Sequence, residues 1–235
     1  MAAPRRFALI VAAGSSVRFG GGVPKQYVPL AGTPLLRRAI DSLNDSVLLE
    51  KLYVVLAPGD KLYRDCIGDV RGVEALYCGG PTRADSVKNG LAAVGRDATA
   101  DDWVLVHDAV RPCIDVGTLN RLLSELADEP VGGLLAVPLV DALKRAESGA
   151  GLRAVSTEPR DGLWCAQTPQ MFRYAILHHA LRNADCARLV DEAQAVEALG
   201  IKPRLVRGSL DNIKVTYPED VALAEAIFAQ RLART

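Results

Sequence analysis

The sequence has no excess of charge of either sign. Among its 235 residues, 28 are Lys or Arg and 28 are Asp or Glu. Nucleic-acid-binding domains usually carry a basic excess, so the balance argues against nucleic acid as the main partner. Nor does any apolar run approach the roughly 18 residues of a membrane span, and the few residues before the first apolar run are too short for a signal peptide. We therefore expect neither a nucleic-acid nor a membrane partner.

Cysteine is scarce and follows no pattern. The five cysteines are an odd number and include no Cys-x-x-Cys pair. This count argues against a disulfide framework or a zinc site and fits a reducing compartment, so a cytoplasmic protein is expected.

Two common phosphate-binding motifs are also absent. The sequence has no Gly-x-Gly-x-x-Gly dinucleotide fingerprint after its first apolar run, and it has no Gly-Lys-Ser/Thr of a P-loop. Dehydrogenase-type and P-loop nucleotide binding are therefore not predicted.

The sequence does contain an unusual loop near its start. An apolar run over residues 7–13 predicts a buried strand, and a glycine-rich stretch over residues 14–22 follows it directly. Backbone N–H groups, together with the cations Arg18 and Lys25, suit the binding of a triphosphate. The alternative is an ordinary strand-to-helix turn.

Strand and helix signals alternate along most of the chain. This alternation predicts an α/β fold with a three-layer, mostly parallel, Rossmann-like sheet, in a single domain over residues 1–235. Ligands of such sheets lie beyond the carboxyl ends of the strands. The glycine-rich loop, Gly79-Gly80 and Asp108 all follow predicted strands, so we expect them to converge on one crevice.

The alternation breaks over residues 138–168. Two strand-like segments flank a Ser-Gly-Ala-Gly turn, which predicts a projecting β-hairpin and, from its position, a dimerisation arm. The alternative is a hairpin folded onto the edge of its own sheet. After it, Thr168 and Pro169 carry the signals of a helix N-terminus.

Several side chains at the predicted crevice suit phosphate chemistry. Asp108 ends a buried strand and could hold Mg²⁺, which prefers one or two carboxylates plus substrate phosphates; the alternative roles are a helix cap or a partner for Arg111. His107, beside it, is interpreted as a buried structural residue. Arg83 and Asp85 are interpreted as an exposed helix pair. Taken alone, Arg160 and Lys214 are as easily surface residues.

The ordered set of motifs is more specific than any one of them. The chain resembles the 2-C-methyl-D-erythritol 4-phosphate cytidylyltransferase family of the non-mevalonate isoprenoid pathway over about residues 7–229. The resemblance is carried by the motifs A-A-G-x-x-x-R, P-K-Q-Y, G-G-x-x-R-x-D-S-V, V-L-V-H-D-A-x-R-P, D-x-L-K-R, G-L-W-x-A-Q-T-P-Q, D-E-A and D-N-I-K-V-T-x-P-E-D.

The resemblance implies a role for each matching residue. Arg18 and Lys25 match the cations that stabilise the transition state, and Asp108 matches the Mg²⁺ ligand. The matches to nucleotide contacts are Ala12, Ala13, Gly14, Gly80, Ser86 and Ala109. The matches to residues that bind or position the substrate phosphate are Arg111, Arg160, Thr168 and Lys214. In the family the arm crosses a two-fold axis, so a homodimer is implied in which Arg160 serves the partner's site.

The sequence departs from the family pattern at one substrate-side position. Ala142 stands where the family usually has a threonine that holds the substrate phosphate.

The expected activity is transfer of CMP from CTP to 2-C-methyl-D-erythritol 4-phosphate. Two alternatives stay open: a cytidylyltransferase for another polyol phosphate such as ribitol 5-phosphate, and a nucleotide-binding regulator without catalysis.

Overall fold

A seven-stranded sheet forms the centre of the molecule. The computed structural model describes residues 3–14, 19, 22–45, 48–147 and 151–233. The strands are β1 (Arg6–Val11), β2 (Pro29–Leu30), β3 (Thr33–Pro34), β4 (Lys51–Val55), β5 (Val73–Leu76), β6 (Trp103–Asp108), β7 (Gly132–Pro138), β8 (Leu143–Ala146), β9 (Ala154–Glu158), β10 (Trp164–Arg173) and β11 (Arg204–Arg207). The helices are α1 (Leu35–Asn44), α2 (Leu62–Cys66), α3 (Arg83–Val94), α4 (Val116–Glu125), α5 (Tyr174–Asn183), α6 (Glu192–Glu197) and α7 (Glu219–Leu232).

The sheet is mostly parallel, as predicted. Its strand order is β11-β7-β10-β6-β1-β4-β5, and β10 alone runs antiparallel to its neighbours. Consecutive residues of β1 point to opposite faces: Ala8 and Ile10 pack with α1 and α4, whereas Phe7 and Leu9 pack with α3 and α5. Apolar layers on both faces explain why the strands read as continuous apolar runs. The three-layer prediction is confirmed.

The prediction of a helix beginning at Thr168 and Pro169 is wrong. Both residues lie within β10, joined by a cis peptide bond, and α5 begins five residues after Pro169, at Tyr174. The pairing of β10 with β7 is irregular between Ala166 and Gln170, so Pro169 sits where the ladder needs no N–H donor. Strand pairing on both sides overrides the local helix signal.

The predicted hairpin is present as β8 and β9. The two strands pair antiparallel as a separate two-stranded sheet, with Leu143 opposite Glu158. Within the described residues they pair with no strand of the central sheet, so the alternative of an edge hairpin is not observed. Residues 148–150 of its turn lie outside the described residues. In the part of the chain that is described, no helix is long and apolar enough to cross a membrane.

Candidate active site

The loops that follow β1, β5 and β6 enclose one cavity of about 450 Å³. It lies beyond the carboxyl ends of these strands, where parallel sheets place their ligands. It brings together nine of the predicted site residues: Ala12, Ala13, Gly14, Lys25, Gly80, Ser86, Asp108, Ala109 and Lys214. Arg18 falls outside the described residues.

Two hydrogen bonds hold Ala12, the first residue after β1, in the cavity wall. The N–H of Ala12 donates to the carbonyl of Val55, and the Gln26 side chain donates to the carbonyl of Ala12 at 2.9 Å. Lys25 begins a single 3₁₀ turn and lines the cavity. This strand-to-loop junction therefore presents backbone and one lysine to any ligand in the cavity.

The double glycine after β5 allows two close approaches. A Cβ on Gly79 would lie 2.4 Å from the Ala13 Cβ, and one on Gly80 would lie 2.4 Å from the Asp85 Cβ. The Gly80 N–H donates to Ser86 Oγ at 3.0 Å, and Ser86 Oγ donates to the carbonyl of Thr82. The hydroxyl of Ser86 thus fixes the loop that lines the cavity.

We expect Gly80→Ala to destabilise this wall. The new methyl group would overlap the first turn of α3 and push Gly80 away from Ser86, at a cost of about 1–3 kcal/mol in the free energy of unfolding. Urea denaturation measures this change. Gly22→Ala is the control for stability, because its Cβ would meet nothing within 4 Å. Equal unfolding midpoints for the two variants would contradict the expected clash.

The interpretation of Arg83 and Asp85 as an exposed pair is wrong. Asp85 forms a capping box with Thr82, the N-cap residue of α3: the Asp85 carboxylate accepts from the Thr82 N–H, and the Thr82 hydroxyl accepts from the Asp85 N–H. Arg83 turns inward and contacts two carboxylates, those of Asp108 and Glu192. The capping box explains why a helix begins here and leaves Arg83 on its first turn, facing the site.

Asp108 is the buried anionic centre of the site. Its Oδ1 accepts from Arg83 Nε at 2.8 Å, and its Oδ2 lies 2.7 Å from Lys214 Nζ. Arg111 Nε lies farther away, at 3.8 Å. Burial by itself raises the pKa of Asp108, but the charges of these three cations outweigh burial and hold the pKa well below its ordinary value. The carboxylate is therefore ionised at neutral pH.

Glu192 is a second buried carboxylate that the sequence interpretation missed. Its side chain is 1% exposed, and both oxygens accept from Arg83, Oε1 from Nη1 at 2.5 Å and Oε2 from Nη2 at 3.0 Å. Burial raises the pKa of Glu192, and the Arg83 charge opposes that rise. The only sequence signal was the short D-E-A motif, which assigns no partner to the glutamate.

A polar network connects the substrate-side residues behind Asp108. The Thr168 hydroxyl accepts from the Asp108 N–H at 3.1 Å and lies 3.0 Å from His107 Nδ1. Arg111 Nη1 donates to the carbonyl of Asn212, whose side-chain amide donates to the carbonyl of Thr168. Burial lowers the pKa of His107 to about 4, so it is neutral at pH 7. The interpretation of His107 as a buried structural residue is confirmed.

Arg160 is not brought to the cavity of its own chain. It lies between β9 and β10, is exposed, and is absent from the residues that line the cavity. Of the predicted substrate-side residues, Lys214 lines the cavity, while Arg111 and Thr168 adjoin it through their contacts with Asp108.

The chain matches a known protein family over most of its length. Residues 7–230 match the family model described as 2-C-methyl-D-erythritol 4-phosphate cytidylyltransferase. The protein of that name from Dechloromonas aromatica is 52% identical over 230 residues, which cover 97% of this chain and 99% of the relative. One from Azoarcus sp. is 50% identical, covering 97% of this chain and 96% of the relative.

Solved structures of similar proteins share the fold. A crystal structure of a 4-diphosphocytidyl-2C-methyl-D-erythritol synthase superposes with a TM-score of 0.84 at 36% identity, covering 96% of this chain and 99% of the other. The Francisella tularensis 2-C-methyl-D-erythritol 4-phosphate cytidylyltransferase gives a TM-score of 0.81 at 31% identity, covering 95% and 99%.

Proposed function

Because the chain belongs to the 2-C-methyl-D-erythritol 4-phosphate cytidylyltransferase family, we propose that it transfers CMP from CTP to 2-C-methyl-D-erythritol 4-phosphate. The products are the 4-diphosphocytidyl compound and pyrophosphate, on the route to isoprenoid precursors. One observation carries the proposal from the structure: a cavity at the strand ends combines a backbone-lined loop with Asp108, Lys25 and Lys214.

The reaction requires the protein to position the two substrates and to stabilise charge, and it requires no covalent intermediate with the protein. A phosphate oxygen of the acceptor attacks the α-phosphorus of CTP, and the bond between the α-phosphorus and the bridging oxygen breaks to release pyrophosphate. A phosphate monoester is largely ionised at pH 7, so no general base is needed. We assign Lys25 and Arg18 to stabilise the negative charge that develops in the transition state.

Asp108 suits a single-carboxylate Mg²⁺ site. Within the described residues, no three His, Cys, Asp or Glu side chains could hold a metal ion by themselves. Asp108 nevertheless lines the cavity and is ionised, and each of its oxygens keeps a lone pair beyond those used by Arg83 and Lys214. Mg²⁺ commonly takes one carboxylate with substrate phosphates, so these residues fit it. When bound, the ion would neutralise charge on the triphosphate and the departing pyrophosphate.

We assign Arg111, Thr168 and Lys214 to the substrate phosphate, with Arg160 of a partner subunit completing the site. Apolar side chains of the arm support a homodimer: Leu152 is 84% exposed, Val140 67% and Val155 62% in the single chain. Apolar side chains this exposed would gain free energy by burial against a second copy of the arm. All five cysteines are free thiols, which supports a cytoplasmic location.

The base specificity can be tested by pyrophosphate release with a panel of nucleoside triphosphates. Ser86 holds the loop at Gly80 against α3, and we expect the pocket beside this loop to fit cytosine and to crowd a purine. We expect turnover with CTP and Mg²⁺ and far weaker turnover with ATP or GTP. Equal rates with a purine triphosphate would contradict the cytosine assignment.

The same assay with a panel of polyol phosphates tests the acceptor. The proposal requires 2-C-methyl-D-erythritol 4-phosphate to give the highest kcat/KM. Preference for ribitol 5-phosphate would favour the alternative cytidylyltransferase, and CTP binding without turnover on any acceptor would favour the regulator.

A further inference from the structure

A buried ion pair behind the cavity links α6 to the anionic centre of the site. Glu192 is the first residue of α6, and its side chain is 1% exposed. Among the residues that the structure describes, its one ion-pair partner is Arg83, 109 residues earlier in the chain, which it contacts through two hydrogen bonds. A buried carboxylate is costly unless it is paired, so a planar guanidinium with two aligned donors is the partner that the site requires.

The planar geometry of the guanidinium determines how Arg83 contacts Asp108. Glu192 occupies Nη1 and Nη2, and the remaining edge, Nε, donates to Asp108 Oδ1 at 2.8 Å. Because the guanidinium is rigid and planar, fixing two of its nitrogens also fixes the direction of the third. Glu192 thus sets, through Arg83, where one oxygen of Asp108 lies.

Lys214 cannot provide the same support. Its ammonium is a single point contact with Asp108 Oδ2, and its side chain is 40% exposed, against 25% for Arg83. A flexible, exposed lysine at the cavity is free to move to a substrate phosphate. When it does so, Arg83 is the one cation among the described residues that still donates a hydrogen bond to the Asp108 carboxylate, because Arg111 Nε lies 3.8 Å away.

We propose that Glu192 is a positioning residue, which acts through Arg83 to hold the Asp108 carboxylate toward the cavity and available to a divalent cation. The inference rests on the proposed function, since it assumes that Asp108 binds that cation. The proposal also predicts that loss of the Glu192 charge weakens binding of the cation. Without the Glu192 charge, Arg83 has only Asp108 as an anionic partner, and it then competes with the cation for this carboxylate.

Metal binding tests the proposal without relying on turnover. Free Mn²⁺, measured by electron paramagnetic resonance in the presence of the unreactive α,β-methylene analogue of CTP, gives the Mn²⁺ dissociation constant. We expect Glu192→Gln to raise it about 10- to 100-fold, the usual effect of removing a residue that supports a metal ligand. Glu197→Gln, at an exposed carboxylate on the same helix, should leave it unchanged.

A double-mutant cycle separates action through Arg83 from general damage. If Glu192 acts through Arg83, adding Glu192→Gln to an Arg83→Gln protein should change the Mn²⁺ dissociation constant by no more than about twofold. Removing both partners also avoids an unpaired buried charge, which favours folding. The melting temperature of every variant is measured beside its Mn²⁺ dissociation constant, so that a loss of stability can be recognised. An equal effect of Glu192→Gln on both backgrounds would overturn the proposal.

The same measurements distinguish failure of the Glu192 proposal from failure of the proposed function. A Glu192→Gln protein with a lower melting temperature but unchanged Mn²⁺ affinity would make Glu192 purely structural and overturn the proposal, as would a wild type that binds no Mn²⁺. Should Glu192→Gln not fold, Glu192→Asp keeps the charge but shortens the reach, and an unchanged dissociation constant there would count against positioning. A wild type that binds Mn²⁺ and the analogue but releases no pyrophosphate would contradict the proposed function alone.

Discussion

Replacing Lys25 by alanine should lower kcat by about 10²–10³-fold, the usual effect of losing one preorganised charge donor. Lys25 lines the cavity and is the first residue of a 3₁₀ turn. The next residue of this turn, Gln26, donates a side-chain hydrogen bond to the carbonyl of Ala12. Its backbone is therefore fixed relative to the nucleotide loop. A cation carried on a fixed backbone needs less reorganisation when negative charge develops at the α-phosphate, so we expect its contact to be stronger in the transition state than in the bound substrate.

Steady-state kinetics with varied CTP measure this effect. The KM for CTP should rise much less than kcat falls, because the interaction is made mainly in the transition state. Lys202→Ala is the control, since Lys202 is an exposed lysine that does not line the cavity. A Lys25→Ala protein with wild-type kcat and only a raised KM would mean that Lys25 binds substrate and transition state equally. We expect the same loss for Arg18→Ala.

The convergence of the site could be predicted because its signals are local. The apolar run of β1 ends in a glycine-rich loop, that of β6 ends at Asp108, and a parallel sheet brings such ends to one edge. No contact between distant residues had to be known. The same reasoning correctly placed Gly80 and Lys25 in one cavity with Asp108.

The buried charge pairing could not be predicted, because it is not local. Arg83 and Glu192 lie 109 residues apart, and each taken alone has the appearance of a surface residue on a helix. Thr168 shows the opposite failure: its local sequence is that of a helix cap, but pairing of β10 with β6 and β7 decides its structure. Tertiary contacts outweighed local propensity in both cases.

The arm shows a third limit of sequence reasoning. Alternation and a glycine turn suffice to predict β8 and β9, yet they do not identify what covers the apolar side chains that remain exposed on them. Arg160 lies at the base of this arm and away from the cavity of its own chain. If it binds substrate, as we propose, it does so in the partner's site.

Mixed dimers of two inactive variants test this arrangement. Arg160→Ala and Lys25→Ala proteins should each be nearly inactive as homodimers, because every site then lacks one required cation. In a mixed dimer with exchanged arms, one site carries both lesions and the other carries neither. Random pairing of equal amounts makes half of the dimers mixed, each with one intact site of two, so activity should recover to about one quarter of the wild type.

The mixed-dimer experiment requires proof that subunits have exchanged and a control substitution at another arginine of the arm. Co-refolding the two variants with different affinity tags and purifying through both tags isolates the mixed dimer, whose activity should be about half that of the wild type. Arg153→Ala is the control, because Arg153 is an exposed arginine on the same hairpin and lines no part of the cavity; this variant should be active alone. If each arm served its own chain, every site in the mixed dimer would carry one lesion and mixing would restore nothing. Absence of recovery in the purified mixed dimer would therefore return Arg160 to its own subunit or to the surface.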